Sequence, residues 1–458
     1  MSGTIVDLII RNGTIVTERG IFQGDIAIQG ERIIEIAEQL SVDWKAQQEI
    51  EASGLHVFPG LMDTHVHFNE PGRTDWEGIS SGSRSLAAGG VTTFFDMPLN
   101  SSPPTTTLHG FRLKKQVAEE KSVVDFGLWG GLVPGNLDSL ESLKKSGVIG
   151  FKAFMSNSGI DDFVHVDDST LFQGMEKIAE LGSILALHAE NDVITSRLSA
   201  SSIEQGRLTV RDFCSSRPIL SEIEAVERAL TYAEATKCKL HIVHVSSGQV
   251  VKRVTNAKRR GVDVTVETCP HYLTFTIDDF ERLGGLLKCA PPLRELEQVE
   301  SLWEAIDSRE IDSIGSDHSP SPPAMKTGSG EDIFSVWGGI SGAQSTLNVM
   351  LEEGYWRRGV PLETIVRITS TNPAKRFGLY PNKGTIAVGS DADLTLVDLQ
   401  FPFLLEASDL LYRHKQSPYV GKTFRGLVLY TLLRGRVIFQ KGEIIDNGNR
   451  GKYCGSTL

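Results

Sequence analysis

His65 and His67 stand two residues apart in the run Gly60-Leu61-Met62-Asp63-Thr64-His65-Val66-His67-Phe68. Apolar and polar residues that alternate in this way form a β-strand, on which residues i and i+2 share a face. Both imidazoles therefore point the same way. Neutral imidazole is the commonest nitrogen ligand for a metal ion, and a strand fixes two coordination directions at once. Taken alone, the pair is as readily two half-buried strand histidines. Three further apolar runs end in residues of the same chemistry: Ile184-Leu185-Ala186-Leu187-His188, Leu240-His241-Ile242-Val243-His244 and Ile314-Gly315-Ser316-Asp317-His318. Strand alternation puts His244 on the opposite face from His241. A fourth run, Val148-Ile149-Gly150-Phe151-Lys152-Ala153-Phe154, buries a lysine among aromatic and small side chains. An ammonium is costly there, so the Lys152 pKa falls and the neutral amine becomes accessible. A neutral amine can add carbon dioxide to give a carbamate, an anion able to bridge two divalent cations.

The elements that must position these groups can be read along the chain. Residues 1–56 and 383–450 consist of short Gly-punctuated strands, with Asn12-Gly13 as a turn dipeptide. They suggest one small discontinuous β-sandwich built from both termini, or else two separate sheets. Residues 57–382 alternate strand and helix, with candidate strands at 61–68, 91–98, 124–132, 148–154, 184–190, 239–245, 263–270 and 312–318. A helix is predicted from Ser221, which together with Glu224 matches a capping box. The fold class is α/β: a TIM-like (β/α)8 barrel whose strand ends converge on one mouth. A doubly wound open sheet would call for a glycine-rich phosphate loop after the first strand, and no G-x-G-x-x-G stands there.

Composition narrows the function. The chain has 458 residues and a net charge of -12, a poor match for nucleic acid or an anionic membrane surface, so a small-molecule substrate is expected. Cys214, Cys238, Cys269, Cys289 and Cys454 show no C-x-x-C spacing, which argues against a disulfide framework or a thiolate metal site. No stretch approaches the ~20 apolar residues of a membrane span, and a cytoplasmic location is expected.

Together these motifs resemble the cyclic amidohydrolase branch of the amidohydrolase superfamily. The likeness rests on Pro59 to His67, Gly150-Phe151-Lys152, His188, His244, Gly315-Ser316-Asp317-His318 and Gly389-Ser390-Asp391-Ala392-Asp393-Leu394. It implies a cofactor of two Zn2+ per subunit. His65, His67 and Asp317 would hold one ion and His188 and His244 the other, with Lys152, as N6-carboxylysine, bridging both. Two such ions suit hydrolysis of an unactivated amide, with Asp317 as general base. The resemblance also implies a homo-oligomer, commonly a tetramer. A mononuclear deaminase would not need Lys152, and a scaffold relative without activity would show gaps among these six positions.

Within the branch, dihydroorotases place an arginine two residues after the second histidine, where this chain has Asn69. Hydantoinases and dihydropyrimidinases place a tyrosine five residues after the bridging lysine, where Asn157 stands. Ala87 to Asn100 and Phe151 to Met155 are most similar to allantoinases, which implies opening of the hydantoin ring of (S)-allantoin to allantoate, with hydantoinase or dihydropyrimidinase as the alternative. Ser156, Asn157 and backbone groups near Ala290 and Gly339 would then meet the ureido-bearing substrate. The Pro- and Gly-rich segment Ser319 to Gly330 is expected to form a rim loop, mobile or static. Asp96 is expected to orient a neighbouring ligand, and His271 to take either a supporting or a purely structural place.

Overall fold

A computed structural model describes residues 5–327, 332–445, 448 and 450–455. Eight short parallel strands form the centre. Leu61–Val66, Val91–Asp96 and Asp125–Leu128 pair in sequence order. Past Trp129 the third strand continues as Gly130–Gly131, and the ladder goes on through Phe151–Phe154, Ile184–His188, Lys239–Ile242, Val264–Thr268 and Ser313–Ile314. The ring closes where Val66 bridges His318 and the His67 amide donates to the His318 carbonyl at 2.8 Å. The (β/α)8 barrel expected from the alternating pattern is therefore present. Parallel register sets Phe154 beside His188, Leu187 beside Ile242 and Thr268 beside Ile314, so the C-terminal strand ends rise to one level.

Helices follow the strands and carry their own start signals. Thr107, Asp167 and Asn191 each accept a backbone amide three residues on, capping Leu108–Lys121, Asp168–Glu180 and Asp192–Glu204. The helix expected from Ser221 begins earlier, at Ile219, and the capping box does not form. Pro218 occupies the cap, the Ser221 hydroxyl donates back to the Pro218 carbonyl, and Glu224 pairs with Asn191 and Arg228.

The two β-rich ends join in one continuous nine-stranded sheet, with Leu394–Leu404 hydrogen-bonded to His56–Pro59, so they are not two separate sheets. Ile10, Ile26, Ile28, Val57, Leu394 and Leu432 meet in its core. Asn12-Gly13 is a bulge inside the strand Ile5–Thr17 and not a turn. Asp25 accounts for the difference, because its carboxylate accepts the Asn12 amide at 2.8 Å and allows the strand to continue. Lys383 ties sheet to barrel: its buried ammonium bonds Asp125 at 2.7 Å and Asp393 at 2.6 Å. Burial alone would lower the pKa of this amine, but the surrounding carboxylates outweigh it and hold the pKa well above the usual lysine range. No helix among the described residues is long and apolar enough to cross a membrane.

Candidate metal centre at the barrel mouth

Alternation along the first strand turns His65 and His67 inward, as the two-residue spacing requires, and both are buried. The Asp317 Oδ1 lies 3.2 Å from His65 Nε2 and 3.3 Å from His67 Nε2. These three residues can offer one ligand atom each, all within 4.8 Å of one another. His188 and His244 form a second pair, with Nδ1 of the first 3.0 Å from Nε2 of the second. The rings of His65 and His244 lie 5.4 Å apart, so the two groups adjoin. Lys152 rises from the strand beside His188, its amine 5.1 Å from the centre of the Phe154 ring.

Protonation fits a cation-binding cluster. Burial, aided by neighbouring positive groups, lowers the pKa of His65 and His188 and takes that of His244 well below the ordinary value. The imidazoles are therefore neutral near pH 7. His65 Nδ1 lies 3.0 Å from Glu267, and His188 Nε2 lies 2.8 Å from Glu190. A ring N–H is thereby committed to each carboxylate, which leaves the opposite nitrogen of each ring as a lone pair aimed into the site. Burial opposes ionisation of Asp317, yet His65, His67 and His244 outweigh it and keep its pKa well below the carboxylate range. Burial lowers the Lys152 pKa to about 7, and the amine has no hydrogen-bond partner. The cluster holds lone pairs, an ionised carboxylate and a neutral amine, and this donor set fits divalent cations.

His241 corrects the expectation of opposite faces: it lies in the barrel interior, bonded to Thr265 at 2.8 Å and to Glu267 at 3.3 Å. The sixth strand ends at Ile242, and a positive φ of 40° at His244 redirects the chain, so alternation does not carry across that break. Asp317 has φ 46°, a second sparsely populated backbone conformation held within the site. Asp96 accepts the amide of Phe68, the residue after His67, at 3.0 Å and pairs with the buried Lys114. His271 is buried, with its pKa lowered by burial to about 4 and no partner at Nε2.

Sequence reasoning passed over Glu267 and Glu190. Glu267 also accepts the Thr64 hydroxyl, and Gly315 leaves room for its carboxylate, since a Cβ at 315 would stand 2.6 Å from it. Glu190 is clamped by Arg217, with Nε at 3.0 Å and Nη2 at 2.5 Å. Burial pushes the Glu190 pKa up, but Arg217 and His188 outweigh that and bring it to about 2. A glutamate in the apolar strand Val264–Thr268 was the available signal for Glu267.

Above the cluster lies a cavity of about 450 Å³, onto which His65, His67, His188, His244 and Asp317 open. Asn157, Ala290 and Gly339 line it as expected, whereas Ser156 is buried outside the lining. Phe334 and Trp337 form part of the far wall, and no arginine lines it among the described residues. The rim segment from Ser319 contains the short helix Pro323–Lys326, whose Lys326 is buried; its residues 328–330 lie outside the described residues.

The chain is similar to known proteins over nearly its whole length. An allantoinase of Deinococcus radiodurans is 53% identical over 439 residues, covering 96% of each chain. An allantoinase of Escherichia coli K12 is 44% identical over 451 residues, covering 98% of each. The solved L-hydantoinase (dihydropyrimidinase) from Arthrobacter aurescens superposes with a TM-score of 0.94 at 37% identity, covering 96% of this chain and 97% of that one. The model of the amidohydrolase family matches residues 56–438, and the chain belongs to that family.

Proposed function

We propose that this chain is an allantoinase, a metal-dependent amidase that opens the hydantoin ring of (S)-allantoin to allantoate in the recovery of purine nitrogen. The observation that carries the reading is the near full-length identity to allantoinases, from 44% to 53%, in a chain whose histidines and aspartate converge at one mouth. In this reading His65, His67 and Asp317 would hold one zinc ion and His188 and His244 the second, with Lys152, as its N6-carboxyl derivative, the residue that would serve both. When bound, such a pair supplies Lewis acidity toward the scissile carbonyl and lowers the pKa of water.

The protein's own groups do the rest. Asp317 takes a proton from the attacking water and returns it to the ring nitrogen as the ring amide C–N bond breaks. Glu190 and Glu267 fix the tautomers of His188 and His65. Asn157 and the backbone at Ala290 and Gly339 face the substrate's ureido and amide groups. With no arginine on the wall among the described residues, a substrate carboxylate would lack its bidentate partner. The Lys288 ammonium is already committed to the carbonyls of Phe334 and Val336. An uncharged cyclic amide is the substrate class these features suit.

The likeness to an L-hydantoinase favours a second reading, a hydantoinase or dihydropyrimidinase. Steady-state assays of metal-loaded enzyme against allantoin, hydantoin, dihydrouracil and dihydroorotate separate the two. Allantoin is expected to lead in kcat/KM by at least about tenfold, a gap of some 1.4 kcal/mol in transition-state binding. Faster turnover of hydantoin or dihydrouracil would overturn the choice. The proposed setting is cytoplasmic and the proposed assembly a homotetramer, with the sheet of 1–56 and 383–450 as one domain and the barrel of 57–382 as the other. Sedimentation analysis checks the assembly.

A further inference from the structure

Glu267 stands on the seventh strand, buried in the barrel, and its carboxylate is met from two other strands at once. Its Oε1 lies 3.0 Å from His65 Nδ1, while its Oε2 accepts the Thr64 hydroxyl and lies 3.3 Å from His241 Nε2 on the sixth strand. Burial opposes ionisation of this carboxyl, yet the bonds from His241 and His65 outweigh it and hold the pKa below the usual carboxylate range. A carboxylate only accepts, so His241 Nε2 carries the hydrogen. His241 Nδ1 is then an acceptor, and the Thr265 hydroxyl at 2.8 Å donates to it. The other acceptor near that hydroxyl, the Leu240 carbonyl, is farther away at 3.4 Å. Parallel register sets Thr265 directly beside His241, so the pairing of the sixth and seventh strands fixes the ring. A histidine here could simply fill space. Apolar rings pack against it, however, with Trp129 and Phe377 centred 6.5 Å and 5.7 Å away, and an apolar side chain would suit that setting as well. Each ring nitrogen instead finds a partner of the opposite kind, which packing does not require.

We infer that His241 is a positioning residue for the metal centre: its Nε2 hydrogen holds Glu267 against His65 Nδ1, and so keeps His65 Nε2 turned toward Asp317, the direction in which it would meet a cation. The inference rests on the metal-dependent reading given above. The contacts run from Thr265 through His241 and Glu267 to His65, and every link is 3.3 Å or shorter. Groups that orient a metal's ligands carry about 10- to 100-fold in affinity, and a group one link farther out carries less.

Zinc titration of chelator-stripped protein against a competing chromogenic chelator tests the role without recourse to turnover. His241→Leu is expected to weaken zinc binding at one of the two sites by at least about threefold. His241→Gln, whose amide can donate to Glu267 and accept from Thr265, is expected to stay within about twofold of wild type. Either side chain has room, because a cavity of about 280 Å³ borders His241. Should His241→Leu misfold, Thr265→Val, which keeps the shape and removes the hydroxyl, is expected to weaken the same site by at least about twofold. A smaller change in the folded variant would overturn the proposal. An equal loss in His241→Leu and His241→Gln would also overturn it, because the bulk of the ring and not its N–H would then matter. A wild type that binds no zinc would overturn the metal centre and this inference with it, whereas a wild type with two ions and an unaffected His241→Leu would overturn this inference alone.

Discussion

Two buried carboxylates position histidines of the proposed metal centre. Glu190 and Glu267 each hold one imidazole in the tautomer that turns a lone pair inward, and Glu190 is itself held by Arg217. Glu190→Gln keeps the shape but loses the charge, so metal affinity is expected to fall by about 10- to 100-fold. Competition with a chelator measures this, and an unchanged affinity would remove Glu190 from its positioning role. Asp317 carries the proton in the proposed mechanism. Asp317→Asn, assayed with metal content verified, is expected to lower kcat by about 10²- to 10⁴-fold while KM moves only a few-fold. A raised KM with kcat intact would contradict that assignment. The strand-end histidines and Lys152 were legible because their spacing and apolar setting are local facts. Glu267 was not, because its partners lie on other strands and meet it only once the barrel closes, and Glu190, though two residues from His188, is clamped by Arg217 from a distant helix end.

At the scale of elements, the wall of the cavity from Asp332 to Gly339 is fastened by two lysines. Lys288 donates to the carbonyls of Phe334 and Val336, and Lys326 to those of Trp337 and Gly339. Burial lowers the Lys326 pKa to about 7 and that of Lys288 to about 8. The unfolded chain, with an ordinary lysine pKa, binds more protons than the folded one between about pH 7 and 10.5. Stability linked to Lys326 therefore rises with pH across that window and is lost as pH falls back toward 7. Compared with Lys326→Met, the wild type is expected to gain about 2 kcal/mol between pH 7.5 and 9.5. Denaturation midpoints of both proteins at the two pH values check this; a difference that stays constant would show that Lys326 titrates normally. The Pro-, Ser- and Gly-rich sequence after Asp317 marked a loop correctly, but nothing local in it shows that Lys326 would be drawn under the wall. His241 shows the same limit, because the φ of 40° at His244 ends the alternation that its placement relied on.

For the whole molecule, the sheet and the barrel meet through a buried cluster around Lys383, with Asp125 from the third barrel strand and Asp391 and Asp393 from the approach to the returning sheet. Lys383→Met leaves Asp393 buried without its cation, while Asp125 keeps Arg434 and Asp391 keeps Arg32, and is expected to cost about 3–5 kcal/mol. A melting temperature within a degree or two of wild type would contradict it. Strand periodicity and the alternation of strand and helix were enough to read the barrel and a β-rich remainder. They could not show that the two ends form one continuous sheet, nor that Gly389 to Leu394 supplies the acids that lock it down, since both depend on chain segments more than 250 residues apart.

The proposed activity depends most on a pair of cations shared by two groups of ligands with Lys152 between them. Metal analysis of chelator-stripped protein reloaded with zinc, comparing wild type with Lys152→Ala, tests it most directly. About two ions per chain are expected in the wild type and no more than one in the variant. A wild type that hydrolyses allantoin with no bound metal, or a Lys152→Ala protein that still holds two ions, would contradict it.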